Sequence, residues 1–241
     1  MKRYFIELAY NGQTFNGWQR QPNAPSVQQT IEEALSKLLR EEISIVGCGR
    51  TDTGVHASFY IAHFESEKVF APGDDFIYHL NCILPREIAI YKIYETTKHA
   101  RFDARMREYK YFIERRKTPF NIDGAWQLSR ELNVDAMQTA ARSLMLHSDF
   151  TSFAKLHSDN KSNICAVTQA LWREEGSQLI FIIRSDRFVR GMVRGIVGTL
   201  VDVGLGKMSA KEFDNLIKAE NRALASAQAP AQGLYLSDIH Y

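Results

Sequence analysis

Cysteine is scarce in this chain. Cys48, Cys82 and Cys165 are odd in number and far apart among 241 residues. Such a set gives no disulfide framework and fits a protein kept in a reducing cytoplasm. A chain of this size buries roughly 70–75% of its unfolded surface, so it needs neither crosslink nor metal to hold together. No stretch approaches the ~20 apolar residues of a membrane span. The opening residues, Met1-Lys2-Arg3-Tyr4-Phe5, have no apolar core or cleavage site and read as a strand start rather than a signal peptide. Charge of one sign is also lacking. The formal net charge is only +2, so the whole molecule is no generic polyanion binder.

Several chemistries lack their signatures. The seven histidines show no paired ligand spacing, so no metal site is expected. Gly12-x-x-x-x-Gly17 lacks the Lys-Ser/Thr ending of a phosphate loop. There is no dinucleotide fingerprint, and no serine sits in a nucleophile-elbow setting.

What is there centres on Gly49-Arg50-Thr51-Asp52-Thr53-Gly54-Val55-His56. Apolar β-branched residues (Ile43, Ile45, Val46) lead in, and an alternating run from Phe59 to Phe64 leads out, the pattern of two strands joined by a loop. Asp52 and Arg50 lie between the bounding glycines. One reading is a polar turn closed by an Asx-type hydrogen bond. The other is a single loop aspartate acting as a nucleophile, kept ionised and aimed by a nearby arginine. Arg194 is a candidate for that arginine. It falls in the apolar stretch 188–203, read as one helix carrying Arg190 and Arg194, where a guanidinium needs a partner. A structural ion pair elsewhere would serve equally. Cations also cluster: residues 98–117 hold eight basic and three acidic side chains, and 184–194 four arginines and one aspartate. With aromatics between them they suit phosphates and unstacked bases, or else a solvated strand face.

The element order defines the fold class. Residues 3–10 read as a strand, then a glycine-broken loop over 15–22. Ser26 caps a helix with Gln29 as the capping-box partner. The strand–loop–strand around Asp52 follows, then a helix from Ala71 to Leu84 and a strand from Ile88 to Tyr94. The second half gives a strand over 108–115, a helix from an Asn133 cap to about Leu146, strands over 166–174 and 178–185, the helix over 188–203, another over 210–218 and a last strand over 233–241. The expected architecture is α+β: two related ferredoxin-like βαββαβ halves, 1–97 and 98–241, joining in one mixed/antiparallel sheet with helices on one side and a central cleft.

The string from Gly49 to Ala57 resembles the signature of the tRNA pseudouridine synthase A (TruA) family. The likeness continues through Tyr10-Asn11-Gly12, Gly17-Trp18-Gln19-Arg20-Gln21, Asn81-Cys82-Ile83-Leu84-Pro85 and His99-Ala100-Arg101-Phe102. It runs on through Tyr109-Lys110-Tyr111, Asp149-Phe150-Thr151-Ser152-Phe153, the stretch from Phe188 to Gly198, and Gly233-Leu234-Tyr235-Leu236. Thr53 stands where alanine is usual, and Lys110 replaces an arginine. Neither removes a group the chemistry needs.

The resemblance implies an isomerase that converts uridine to pseudouridine at positions 38, 39 and 40 of the tRNA anticodon stem-loop. It implies Asp52 as catalytic nucleophile, Arg194 paired with it, Tyr109 stacking on the target uracil, and Arg50 helping to extrude the base and filling its place. A cytoplasmic homodimer using neither metal nor cofactor is implied, with tRNA as partner. A catalytically silent RNA-binding protein on the same scaffold is the alternative; a glycosidase-like hydrolase would want a second carboxylate across the bond.

Overall fold

A computed structural model describes residues 1–68, 72–155 and 162–241. The chain divides into two compact units, residues 1–105 with 236–241, and residues 106–235. The α+β class expected from the sequence is observed in both.

In the first unit the order is β1 (Lys2–Tyr10), α1 (Val27–Leu39), β2 (Ile45–Gly47), β3 (His56–Ser66), α2 (Asp74–Ile83) and β4 (Ile88–Glu95). That is the βαββαβ sequence of elements. β1 is central, antiparallel to β3 on one side and to β4 on the other, with Leu8 opposite Tyr60 and Ile90. Tyr4, Ile6, Leu8 and Tyr10 are buried on one face, as their alternation predicts. Phe5, on the other face, is buried too, against Tyr241 at 5.0 Å between ring centroids. β2 pairs antiparallel with β3, Ile45 opposite Phe64 and Gly47 opposite Ala62. β9 (Leu234–His240) follows β3 in the strand order.

The capping box expected at α1 forms by half. Ser26 accepts from the Gln29 N–H at 3.3 Å, but the Gln29 side chain turns along the helix to Glu33 at 2.8 Å. α1 buries Val27, Ile31, Ala34, Leu35 and Leu39, together with the charged Glu32. α2 starts at Asp74; Ala71, where the sequence would begin it, lies outside the described residues. Asn81 ties it to β4 by bonding both the N–H and the carbonyl of Ile90 at 2.8 Å.

The second unit contains β5 (Met106–Glu114), β6 (Trp126–Gln127), α3 (Val134–Ser143), β7 (Val167–Glu175), β8 (Gln178–Ser185), α4 (Met192–Gly204) and α5 (Ala210–Lys218). Strands run β5-β8-β7, all antiparallel. α3 packs on α4, α5 and β7. Of the thirteen residues of α4, only Arg194 and Asp202 are not buried.

Here the structure corrects the sequence reading. The helix does not run from Phe188. Gly191 takes a φ of +75° at its N-cap, which an L side chain resists, so α4 begins at Met192 and Arg190 lies in the preceding turn. The helix predicted to Leu146 ends at Ser143 and tightens into a 3-10 turn over Leu144–Leu146. Among the described residues no helix is long and apolar enough to cross a membrane.

Candidate active site

Residues 48–55 link β2 to β3, and hydrogen bonds within the first unit shape them. The Cys48 N–H donates to the Ile61 carbonyl at 2.9 Å, continuing the ladder one step. The Tyr60 hydroxyl donates to the Gly49 carbonyl. Thr51 shares a 2.8 Å hydrogen bond with the Tyr10 hydroxyl, and its carbonyl accepts from the Trp18 N–H at 3.3 Å. The turn around Asp52 is closed by the main chain, Val55 N–H to the Asp52 carbonyl at 3.1 Å. Asp52 itself is half-buried.

The 10–18 segment is the other wall of this loop. Trp18 stacks on Tyr60 at 4.1 Å, and both rings lie against Tyr10. The Gly12 N–H donates to His56 Nδ1 at 3.1 Å, and the Gly54 N–H to the Phe15 carbonyl at 3.4 Å. Two glycines allow this backbone-to-backbone packing. A Cβ on Gly12 would stand 1.9 Å from the Val55 oxygen. One on Gly17, whose φ is +84°, would stand 2.4 Å from the Thr51 oxygen. Of the two glycines that bound the loop, only one takes a left-handed conformation. Gly54 is at φ +76°, but Gly49 has an ordinary φ and open space beside it. What the residue string could not disclose is that a second, distant loop braces the first.

Arg50 is exposed, and its Nε donates to Gln19 Oε1 at 3.1 Å. With Trp18, Gln19, Gln28 and Arg101 it lines a cavity of about 160 Å³.

Tyr109 and Arg194 lie in the second unit. Tyr109 sits on β5 opposite Ile183, nearly buried, its ring edge-on to Phe188 at 5.1 Å. Arg194 is half-buried in the first turn of α4. Its Nε donates to the Ala229 carbonyl at 2.7 Å, and its own carbonyl accepts from the Ala229 N–H at 3.0 Å. The next carbonyl, of Pro230, accepts from the Tyr111 hydroxyl at 2.7 Å. Burial pushes that phenol far above its ordinary range, with Arg194 pulling weakly the other way, so Tyr111 stays neutral and serves as a clamp. The 229–230 main chain is therefore gripped by both side chains.

The basic segments are less available than their sequence implies. Arg184 donates to the buried Glu108 at 2.6 Å, and Lys110 lies 3.8 Å from the same carboxylate. Arg115 pairs with Glu174 at 2.6 Å, and Arg107 donates to the Asp186 carbonyl at 2.8 Å. Lys98, Arg101, Arg105, Arg116 and Lys117 are exposed. Among the described residues no cluster of three or more His, Cys, Asp or Glu is placed to hold a metal ion.

Comparison with known proteins bears on this arrangement. A family model described as tRNA pseudouridine synthase matches residues 140–241. The whole chain aligns with tRNA pseudouridine synthase A of Parabacteroides distasonis at 48% identity, covering 96% of that protein. Against the proteins of the same name from Azobacteroides pseudotrichonymphae and Bacteroides fragilis the identities are 46% and 44%, again over all of this chain and 97% of each relative. Identity at that level over the full length leaves one conclusion: the chain belongs to the tRNA pseudouridine synthase family.

Proposed function

We propose that this chain isomerises uridine to pseudouridine at positions 38, 39 and 40 of the tRNA anticodon stem-loop, with Asp52 as nucleophile. Pseudouridine formation in tRNA, an isomerase activity, comes with the family; the target positions and residue roles are this proposal's addition. The observation that carries it is the doubly braced loop 48–55, which holds Asp52 on main-chain bonds and half-open to its surroundings. In this reading the 1–97 half brings the nucleophile, and the 98–241 half brings Tyr109 and Arg194.

The reaction breaks the bond from ribose C1′ to N1 and makes one from C1′ to C5. A proton leaves C5 and N1 gains one, so no atoms or electrons are exchanged with a cofactor. The uracil must leave its stack, detach, turn and reattach without escaping. Flipping costs a few kcal/mol, which Tyr109 stacking on the uracil and Arg50 filling the vacated space would offset. The Asp52 carboxylate holds the sugar or the base between the two steps, and Arg194 is the arginine assigned to pair with it. We further read the working form as a cytoplasmic homodimer, which light scattering would register as twice the mass of the chain.

The test is direct. Asp52→Asn and Asp52→Ala proteins should form no pseudouridine in transcribed tRNA and release no C5 hydrogen, while still binding it. Turnover by either at the wild-type rate would end the assignment.

A further inference from the structure

The polar groups behind Arg50 form a chain with a fixed direction. It starts at Glu32 on α1, a residue only 5% exposed. Glu32 Oε1 accepts from the Ile45 N–H and from Gln28 Nε2, both at 3.0 Å, and Oε2 accepts from Arg20 Nη1 at 3.1 Å. Gln28 Nε2 also donates to the Ile45 carbonyl at 3.0 Å. Its Oε1 accepts from Gln19 Nε2 and from the Arg20 N–H, both at 2.9 Å. Every hydrogen-bonding site of that amide is therefore used, and only one of its two orientations satisfies them. The constraint passes to Gln19. Because its Nε2 must donate to Gln28, its Oε1 must face outward, where it accepts from Arg50 Nε at 3.1 Å.

We infer that Gln19 is a positioning residue for Arg50, oriented through Gln28 by the buried Glu32 carboxylate. The inference rests on the reading of Arg50 as the group that fills the place of the extruded base. An exposed arginine has many rotamers to lose when it is held in one place. A relay in which each donor points from the cation towards the anion strengthens each link and fixes where the guanidinium stands before RNA arrives. The same network has a structural side, since Glu32 and Gln28 occupy the outer N–H and carbonyl of Ile45 on β2. Gln19 is bonded to neither group of Ile45, so replacing it releases Arg50 and leaves that strand edge covered.

The experiment compares Gln19→Leu, Gln19→Glu, Arg50→Ala and the Gln19→Leu/Arg50→Ala double variant on two tRNAs. One has the target uridine paired in the stem; in the other its partner base is mismatched, so the uridine is already unstacked. Gln19→Leu should lower kcat/KM about tenfold on the paired substrate and clearly less on the mismatched one. In the Arg50→Ala background it should add less than twofold. Gln19→Glu, which still accepts from Arg50 but has no donor for Gln28 Oε1, should fall between Gln19→Leu and wild type. Thermal unfolding of Gln19→Leu should match wild type. Equal losses on both substrates, or a full further tenfold loss without Arg50, would overturn the inference while leaving the synthase reading intact. Arg50→Ala with undiminished activity would overturn it together with the role given to Arg50. A wild-type protein that forms no pseudouridine at all would instead bring down the functional reading beneath it.

Discussion

His63 is a titratable ring in a place that resists charge. It lies on β3 opposite Phe5, only 4% exposed, and its Nδ1 accepts from the Ala100 N–H at 3.1 Å. The His99 ring meets it edge-on at 4.5 Å. Burial, then the charges of His99 and Arg3, lower its pKa from 6.5 to about 4, against a weaker pull from Glu65. Between about pH 4 and 6.5 the unfolded chain therefore binds a proton that the folded one refuses, so stability falls as pH falls through that window. Full expression of the shift would cost about 3 kcal/mol at the acid end. His63→Asn keeps an acceptor for Ala100 but does not titrate. Urea unfolding at pH 7 and pH 4.5 should show a smaller acid loss for the variant, and identical losses would refute the assignment. None of this was legible in the sequence, where His63 is one of seven histidines without ligand spacing. Its burial arises from pairing with a strand some 60 positions away. Asp52 and Arg50 stand out in the sequence as candidates because their string is contiguous and its flanks announce their own strands.

Elements whose ends are set by local chemistry were read closely from sequence. β8 and α5 carry the predicted bounds, and α5 adds a complete capping box from Ser209 and Glu212. Elements whose ends depend on tertiary contact were not. β6 is two residues long and exists because it lies beside the end of β5. The interior of α4 makes the same point, since its glycines answer to neighbours rather than to helix propensity. A Cβ on Gly198 would stand 2.0 Å from the Ala227 carbonyl oxygen, which is main chain and cannot swing aside. Two residues on, Ala229 is bonded to Arg194 in both directions. Gly198→Ala should therefore cost about 1–3 kcal/mol by overpacking, despite alanine's better helix propensity. The expected fall in Tm is roughly 5 °C, with reduced kcat as the 227–229 strap and Arg194 move together. Gly49→Ala, which would add a Cβ to open space, is the control and should leave Tm nearly unchanged. Circular dichroism melts of the two variants decide the matter; equal stability would mean that the strap yields freely.

For the molecule as a whole, a net charge of +2 gives no long-range field for RNA, so binding must depend on particular cations. Sequence alone counts eight of them over 98–117, but it cannot say which are already held by the protein. Arg115 is held at 2.6 Å by Glu174, on a strand that reaches it only through the fold. Arg116 and Lys117, next in the chain, are exposed. A cation that neutralises a phosphate releases counterions and adds about 0.7–0.9 to the slope of log K against log salt. A side chain kept on a carboxylate releases few. Binding of tRNA should weaken steeply as salt rises. Arg116→Gln/Lys117→Gln should flatten the slope by about 1.5, whereas Arg115→Gln should leave it as it is. Filter binding across a salt series reads both. An unchanged slope in the double variant would place those two cations away from the RNA, and a slope that drops with Arg115→Gln would mean that its ion pair opens when tRNA binds.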